Sequence, residues 1–473
     1  MPRVLGSTGW VVATVAWLLT AAVQAGAASG GSIPDLPRLR TQVSFWKQVY
    51  GTYSRNEVVI HDTRRLDRVY VVLDFSDVAA SDLSAADIEA YRKERIETEI
   101  ERIRAILIRL HQGGDTDPYA TTDERAVARL FESDDDPGRF IKAAAPDRIR
   151  SQTGLRERFG AGVETGRRYW PEMERIFARE GLPRELTRLP LVESCFNVHA
   201  YSKVGAAGIW QFMPGTARRF MRVDDVVDER RDPFTATEAA AVYLRRDYEV
   251  FGTWPLAITA YNHGRAGMQR AVAVTGSTDL QDIVEQYDGP AFKFASRNFY
   301  AEFLAALEVE READRHFPAL TAPAPVRLDT ITLSAPARFD TLAAAAGIDS
   351  ADLALLNPAL DRDVVDGRGT VPAGYSLRLP NGTEDDFRAR YAAANERFRL
   401  ERAEAERRQV QASRERAQAA RTARTRTHRV QQGQTLSAIA RRYGTTVDAI
   451  KRHNGLGKRS SVRAGQTLAI PTG

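Results

Sequence analysis

The chain has 473 residues, with 67 Lys and Arg against 62 Asp and Glu for a net charge of +5, and is 43% hydrophobic and 27% charged. It is too long for one core and too weakly charged to suggest a nucleic-acid binder, so two to four ordinary folded domains are expected. One cysteine, Cys195, excludes an internal disulfide and leaves the redox compartment unread.

Arg3 precedes the apolar run WVVATVAWLLTAAV, which is short for a membrane span, and small-x-small sites end at Ala25 and Ala27. Residues 1–27 therefore read as an export signal leading to the periplasm. No cysteine stands near the cleavage point to take a lipid, and an uncleaved anchor is the alternative. Residues 28–150 are an N-terminal extension. In it, β-rich runs at 58–60 and 69–75 flank a charged turn, which predicts a hairpin. A long helix follows, capped by Ser84, striped by Ile88, Tyr91, Ile96, Ile100, Ile103 and Leu107, and stopped at Gly113-Gly114.

Residues 151–317 hold helix signals and no strand-like alternation. Helices are expected at 161–180, 183–195, 213–221, 235–251, 254–261, 263–275 and 294–313, an all-helical domain of usual size. Within it, LVESCFNVHA draws attention. A helix starting near Pro183 places Leu186, Leu189, Glu193 and Phe196 at i, i+3, i+7 and i+10, with Arg184 and Arg188 on the other side. Glu193 thus sits on an apolar stripe, where burial lifts a Glu from about 4.3 to about 6 and prepares it as a general acid. The same spacing also suits a structural Glu that reaches water or pairs with Arg188. Asp232 before Pro233 reads as a helix cap, and Asp224, Asp225 and Asp228 are further carboxylates nearby. The seven histidines show no metal-ligand spacing, and no Gly-rich phosphate loop appears, so no metal, nucleotide or other cofactor is expected.

Residues 327–382 read as a strand, two helices and a strand. Residues 383–426 are Arg-, Glu- and Ala-rich, without a sustained apolar stripe, and read as a solvated, partly frayed spacer. Residues 427–473 repeat the β-α-α-β order more clearly, with Thr435 and Thr446 as caps and Asn454 answering Asn357 after the second helix.

The two β-α-α-β segments resemble LysM modules, the second closely. The stretches LPLVESCF, SKVGAAGIWQFMPGTA, RRDPFTATEAAAVYL and LAITAYNHG resemble the lytic transglycosylase domain of the membrane-bound murein transglycosylase D type. The resemblance implies a mainly α protein, with a lysozyme-like all-helical catalytic domain and small LysM-type modules. It implies Glu193 as the catalytic residue, Gly208, Gln211, Tyr261 and Asn262 lining a saccharide groove, and Ser194 as a supporting hydrogen-bonder. Trp210 joins Gln211, Tyr261 and Asn262 as a combination of aromatic face and amide suited to sugars. The family's tyrosine ahead of the last helix falls in register on Phe299, with Tyr300 one later as the substrate-binding candidate. In the C-terminal module, Gln434, Thr435 and Asn454 are the implied glycan contacts. The implied partner is the glycan strand of peptidoglycan. The implied reaction cleaves the β-1,4 bond between N-acetylmuramic acid and N-acetylglucosamine with a 1,6-anhydro end. A hydrolytic muramidase, which would need a second carboxylate, and a non-catalytic wall-binding scaffold stay open.

Overall fold

The structure is a computed structural model that describes residues 32–113, 121–423, 425–457 and 461–471. The expected export signal lies outside the described residues. The chain is mainly helical with small antiparallel sheets, as expected. Among the described residues no helix is long and apolar enough to cross a membrane. The chain divides into two compact units. One comprises the residues up to Arg327 with Asn357–Arg362, and the other comprises Leu328–Leu356 and Asp363 onward.

In the first unit the predicted hairpin forms from Glu57–Asp62 and Val69–Asp74. A third strand, Ile149–Thr153, pairs antiparallel on the other side of Glu57–Asp62. Its sequence, IRSQT, is polar and carries no strand signal, so pairing with an already formed edge decides its conformation. Val58, Ile60, Leu73 and Ile149 of this sheet bury against Ile103, Leu107 and Leu110 of the helix Ala85–Gly113, together with Phe131 and Phe140. Ser84 caps that helix through the Asp87 N–H at 3.2 Å, as its position predicts. Tyr91, expected on the stripe, is exposed.

The helical domain is built around Arg156–Arg179 and Phe294–Arg311, both largely buried on one face. Arg156–Arg179 begins five residues before the expected start, because Gly160 and Gly162 weaken the helix signal while serving close packing. A Cβ on Gly162 would lie 2.5 Å from the Cys195 carbonyl oxygen. The helix Arg40–Gly51, from the N-terminal extension, packs along Phe294–Arg311 and so joins the helical domain. The helix Leu280–Gln286, capped by Asp279, is an addition to the expected set.

In the second unit, Leu328–Thr332 pairs antiparallel with Ser376–Pro380, and Thr425–Arg429 with Thr467–Pro471; two short helices separate the strands of the second pair, and in the first pair a short helix, Arg362–Val365, is added to the two expected. Thr435 and Thr446 cap their helices as predicted. Residues 384–423 form one continuous helix rather than a frayed spacer. Its first turns bury Phe387 and Tyr391, and the Tyr391 hydroxyl donates to the Ala335 carbonyl at 3.1 Å. Beyond them, i,i+4 pairs such as Arg388 with Glu384 and Arg402 with Glu406 support it, at about 0.3–0.5 kcal/mol each.

Candidate active site

Glu193 stands near the end of a short helix, Leu189–Ser194, that follows a separate 3-10 turn, Arg184–Arg188. One continuous helix was expected. Pro190 prevents it, because a proline has no N–H to donate to the preceding turn. The stripe survives the break, with Leu186, Leu189 and Phe196 buried and Glu193 half-buried beside them. Arg188 is already engaged, by Glu174, by Glu310 at 3.8 Å and by the Trp170 ring at 4.3 Å, so it does not neutralise Glu193. No side-chain hydrogen bond or ion pair joins the Glu193 carboxyl to another described residue. Desolvation, and then the nearby Glu302 carboxylate, push its pKa from 4.5 up to about 8. Glu193 therefore holds a proton at neutral pH, as a general acid must.

Three further helices bring groups to this carboxyl. Phe294–Arg311 contributes Glu302, itself raised by burial to about 8. Arg40–Gly51 contributes Tyr50, which is buried, stacks on Phe159 at 4.6 Å and points its hydroxyl at Glu302 Oε2, 3.5 Å away. Trp254–His263 contributes Tyr261, whose hydroxyl donates to the Trp210 carbonyl at 2.7 Å and whose pKa is raised by burial and then by Glu193. Cys195, directly after the short helix, keeps its proton because burial raises its pKa, which suits a buried thiol and not a nucleophile. Glu302 and Tyr50 belong to no motif. A Glu inside the apolar run NFYAEFLAAL is the one sequence signal that marks Glu302, and Tyr50 has none.

The other expected residues divide. Tyr261 is half-buried near Glu193, ringed by Tyr243 at 5.5 Å and Phe212 at 5.9 Å. Asn262 is exposed, with Oδ1 accepting from the Ser296 hydroxyl at 3.0 Å. Gln211 is half-buried with φ 48°, its Nε2 closing the turn onto the Gly208 carbonyl at 2.8 Å. Gly208 acts through its missing side chain, since at φ 73° a Cβ would fall 1.8 Å from the Arg230 carbonyl oxygen. Ser194 is buried, and its hydroxyl lies 3.0 Å from the Ile209 carbonyl and 3.2 Å from that of Pro190, tying the helix to the GIWQ turn.

Two expectations are corrected. Tyr300 is 1% exposed and donates to the Pro34 carbonyl at 2.6 Å, so it faces the packed core and not a substrate; Phe299 is buried as well. Trp210 is fully buried, stacked on Phe177 at 5.8 Å with Nε1 donating to Thr237 Oγ1 at 2.9 Å, and offers no face to a sugar. Asp232 is the helix cap it was expected to be, accepting from the Phe234 and Thr235 N–H groups. Asp224 holds a turn through the Val226 and Val227 N–H groups, and Asp228 pairs with Arg230 at 2.7 Å.

In the C-terminal module the three expected glycan contacts have internal duties. Gln434 Oε1 accepts from His428 Nε2 at 2.8 Å and from the Gln431 N–H at 3.0 Å, while Thr435 caps a helix. The Asn454 amide donates to the Ile450 and Ala469 carbonyls at 2.8 and 2.7 Å and accepts from the Ala469 N–H at 2.7 Å. Asn454 thereby pins the second helix to the closing strand.

Residues 174–284, which include Glu193, the GIWQ turn and Tyr261, match the transglycosylase SLT domain. The site lies in an SLT domain. Residues 428–471 match the LysM domain, and residues 327–396 the lytic transglycosylase MltD LysM-like domain, which takes in the buried first turns of the long helix. Membrane-bound lytic murein transglycosylase D of Escherichia coli (strain K12) is 27% identical over 303 residues, covering 62% of this chain and 61% of that protein. Its counterpart in Escherichia coli O6:H1 matches to the same extent. A putative tributyltin chloride resistance protein of Alteromonas sp. (strain M-1) is 37% identical over 97 residues, 20% of this chain and 47% of that protein. Among solved structures, an inactive mutant of lytic transglycosylase Slt from Pseudomonas aeruginosa matches at 20% identity and a TM-score of 0.28, over 49% of this chain and 38% of that one. The match spans about three fifths of the length of the murein transglycosylase D relatives. The SLT domain match begins inside the helix Arg156–Arg179 and ends before Phe294–Arg311, so Tyr50 and Glu302 lie outside it.

Proposed function

We propose that the protein is a lytic transglycosylase of the cell envelope that cleaves the β-1,4 bond between N-acetylmuramic acid and N-acetylglucosamine. The observation that carries this reading is a carboxyl inside an SLT domain that keeps its proton at neutral pH with no cation beside it. Glu193 protonates the bridging oxygen. The carboxylate left behind takes the proton from the muramoyl C6 hydroxyl, which closes onto C1 and leaves a 1,6-anhydro end without consuming water. Tyr261, Asn262 and the GIWQ turn at Gly208 and Gln211 border the saccharide, and Ser194 holds that turn against the acid's helix. The LysM-type modules bind the same glycan strands and keep the enzyme on its polymer, and residues 1–27 direct it out of the cytoplasm.

A muramidase would require a second carboxylate that is ionised, as base or nucleophile. Asp224, Asp228 and Asp232 are each committed elsewhere. Glu302 is engaged by the Tyr50 hydroxyl, 3.5 Å from its Oε2, which favours the non-hydrolytic route. Mass spectrometry of the products released from purified sacculi tests the reading: anhydro-muramoyl ends are expected. Reducing ends would establish hydrolysis, and absence of any release would leave a binding scaffold.

A further inference from the structure

Outside the SLT domain match, two side chains complete the surroundings of Glu193. The helix Arg40–Gly51 lies along Phe294–Arg311, which also packs against Leu189–Ser194, so the helices that carry Tyr50 and Glu193 both pack on the one that carries Glu302. Tyr50 is fixed by burial and by its stack on Phe159, and its hydroxyl is directed at Glu302 Oε2, 3.5 Å away. A buried tyrosine hydroxyl aimed at a half-buried carboxyl, neither of them in any motif, calls for a role, because a Phe and a Leu would pack there with no polar group to satisfy.

Resting on the transglycosylase reading, we propose that Tyr50 and Glu302 are a positioning pair for the acid: Tyr50 stabilises the carboxylate form of Glu302, whose charge then keeps the remaining proton on Glu193. Two interacting carboxyls release their protons in two steps that belong to the pair. The groups around Glu302 decide which side goes first. Tyr50 from the Arg40–Gly51 helix and Arg150 from the strand Ile149–Thr153 both favour its ionised form. Glu193 has no such helper. Around it stand Glu302 and three protonated groups, Tyr50, Tyr261 and Cys195, with Arg158 beside the thiol. The first proton therefore leaves Glu302, and the negative charge then raises the proton affinity of Glu193. That affinity serves both half-reactions, holding the proton for the leaving oxygen and recovering one from the C6 hydroxyl. Glu302 and Tyr50 touch neither reacting atom in this scheme.

The test is the pH profile of anhydro-muropeptide release by the full chain carrying Glu302→Gln or Tyr50→Phe, with folding checked by circular dichroism. Activity of the parent protein falls as pH rises through the Glu193 pKa. Both substitutions should move that limb to lower pH, Glu302→Gln by about one unit and Tyr50→Phe by less, with activity below the limb changed little. Tyr50→Phe removes one hydroxyl from a packed ring and keeps the test informative should Glu302→Gln fold poorly. Unmoved limbs in folded variants would overturn the proposal, as would loss of activity at every pH in folded Glu302→Gln, which would make Glu302 a group that touches the substrate. The transglycosylase reading stands or falls separately, on whether Glu193→Gln still releases anhydro ends.

Discussion

Glu193→Gln should make the protein more stable as well as inactive, and the gain should appear only where the parent carboxyl is forced to stay neutral. The unfolded chain ionises Glu193 near 4.5, whereas the folded protein holds its proton up to about 8. A group whose folded pKa is raised contributes stability that is complete below the unfolded pKa and is lost as pH rises through the folded one. The difference between variant and parent should thus be close to zero below pH 4.5. It should grow by about 1.4 kcal/mol per unit between the two pKa values and level off above about 8. The full interval corresponds to roughly 5 kcal/mol, or on the order of 10 °C in Tm for a unit of this size. Thermal unfolding of both proteins at pH 4, 6, 7 and 9 measures it, and muropeptide release in the same buffers should show a loss of at least about 10²-fold for the variant. A stability difference that stays constant across this range would refute the claim that the fold holds a proton on Glu193, whatever the activity shows.

Tyr300→Phe removes a buried hydroxyl whose acceptor is the Pro34 carbonyl, so it should cost about 1 kcal/mol in denaturant unfolding and leave KM and kcat for glycan release unchanged. A raised KM would return Tyr300 to the substrate. Gly208→Ala meets the Arg230 carbonyl oxygen at 1.8 Å and a positive φ, so the GIWQ turn should be displaced and activity lost even though residue 208 has no side chain to lose; soluble, fully active protein would contradict this. Asn454→Ala removes three side-chain hydrogen bonds, two of them joining the end of a helix to the closing strand of the C-terminal module. It should weaken pelleting with sacculi and spare cleavage of short soluble glycans, and deletion of residues 427–473 should do the same; unaltered pelleting in both would separate this module from wall binding.

How much of the site could be read in the sequence depended on whether the interaction was local. Glu193 was legible because its apolar neighbours recur along a few residues, and the Asp232 cap because cap and helix are adjacent. The broken helix at Pro190 changed the geometry without changing which side chains are buried, so Glu193 stays on the apolar stripe although the helix is not continuous. Trp210 and Tyr300 went wrong for one reason: an aromatic with a polar tip looks the same in sequence whether its partner is a sugar or another part of the chain. Here the partners, Thr237 and Pro34, lie far along the chain. Tyr50 and Glu302 were missed on the same ground, since 252 positions separate two groups that meet only when their helices pack.

The backbone around Glu193 explains why packing, and not hydrogen bonding, was available to hold it. Among the described residues the non-glycine positions with positive φ are Cys195 at 49°, Phe196 at 55° and Gln211 at 48°, all flanking Glu193 or the turn beside it. Each costs on the order of 1 kcal/mol or more, and such strain persists only where the surroundings over-determine the conformation. Phe196 is buried edge-on to Trp170 at 6.0 Å, and Gly162 of the neighbouring helix lies flush against the Cys195 carbonyl. Ser194 ties the same segment to the Ile209 carbonyl. These contacts fix the main chain on both sides of Glu193 without any donor reaching its carboxylate. A donor would have positioned the side chain equally well, but it would have stabilised the charged form and lowered the pKa. An acid that must arrive protonated at neutral pH is better held by its backbone than by its oxygens, and the left-handed residues after it are the cost of that arrangement.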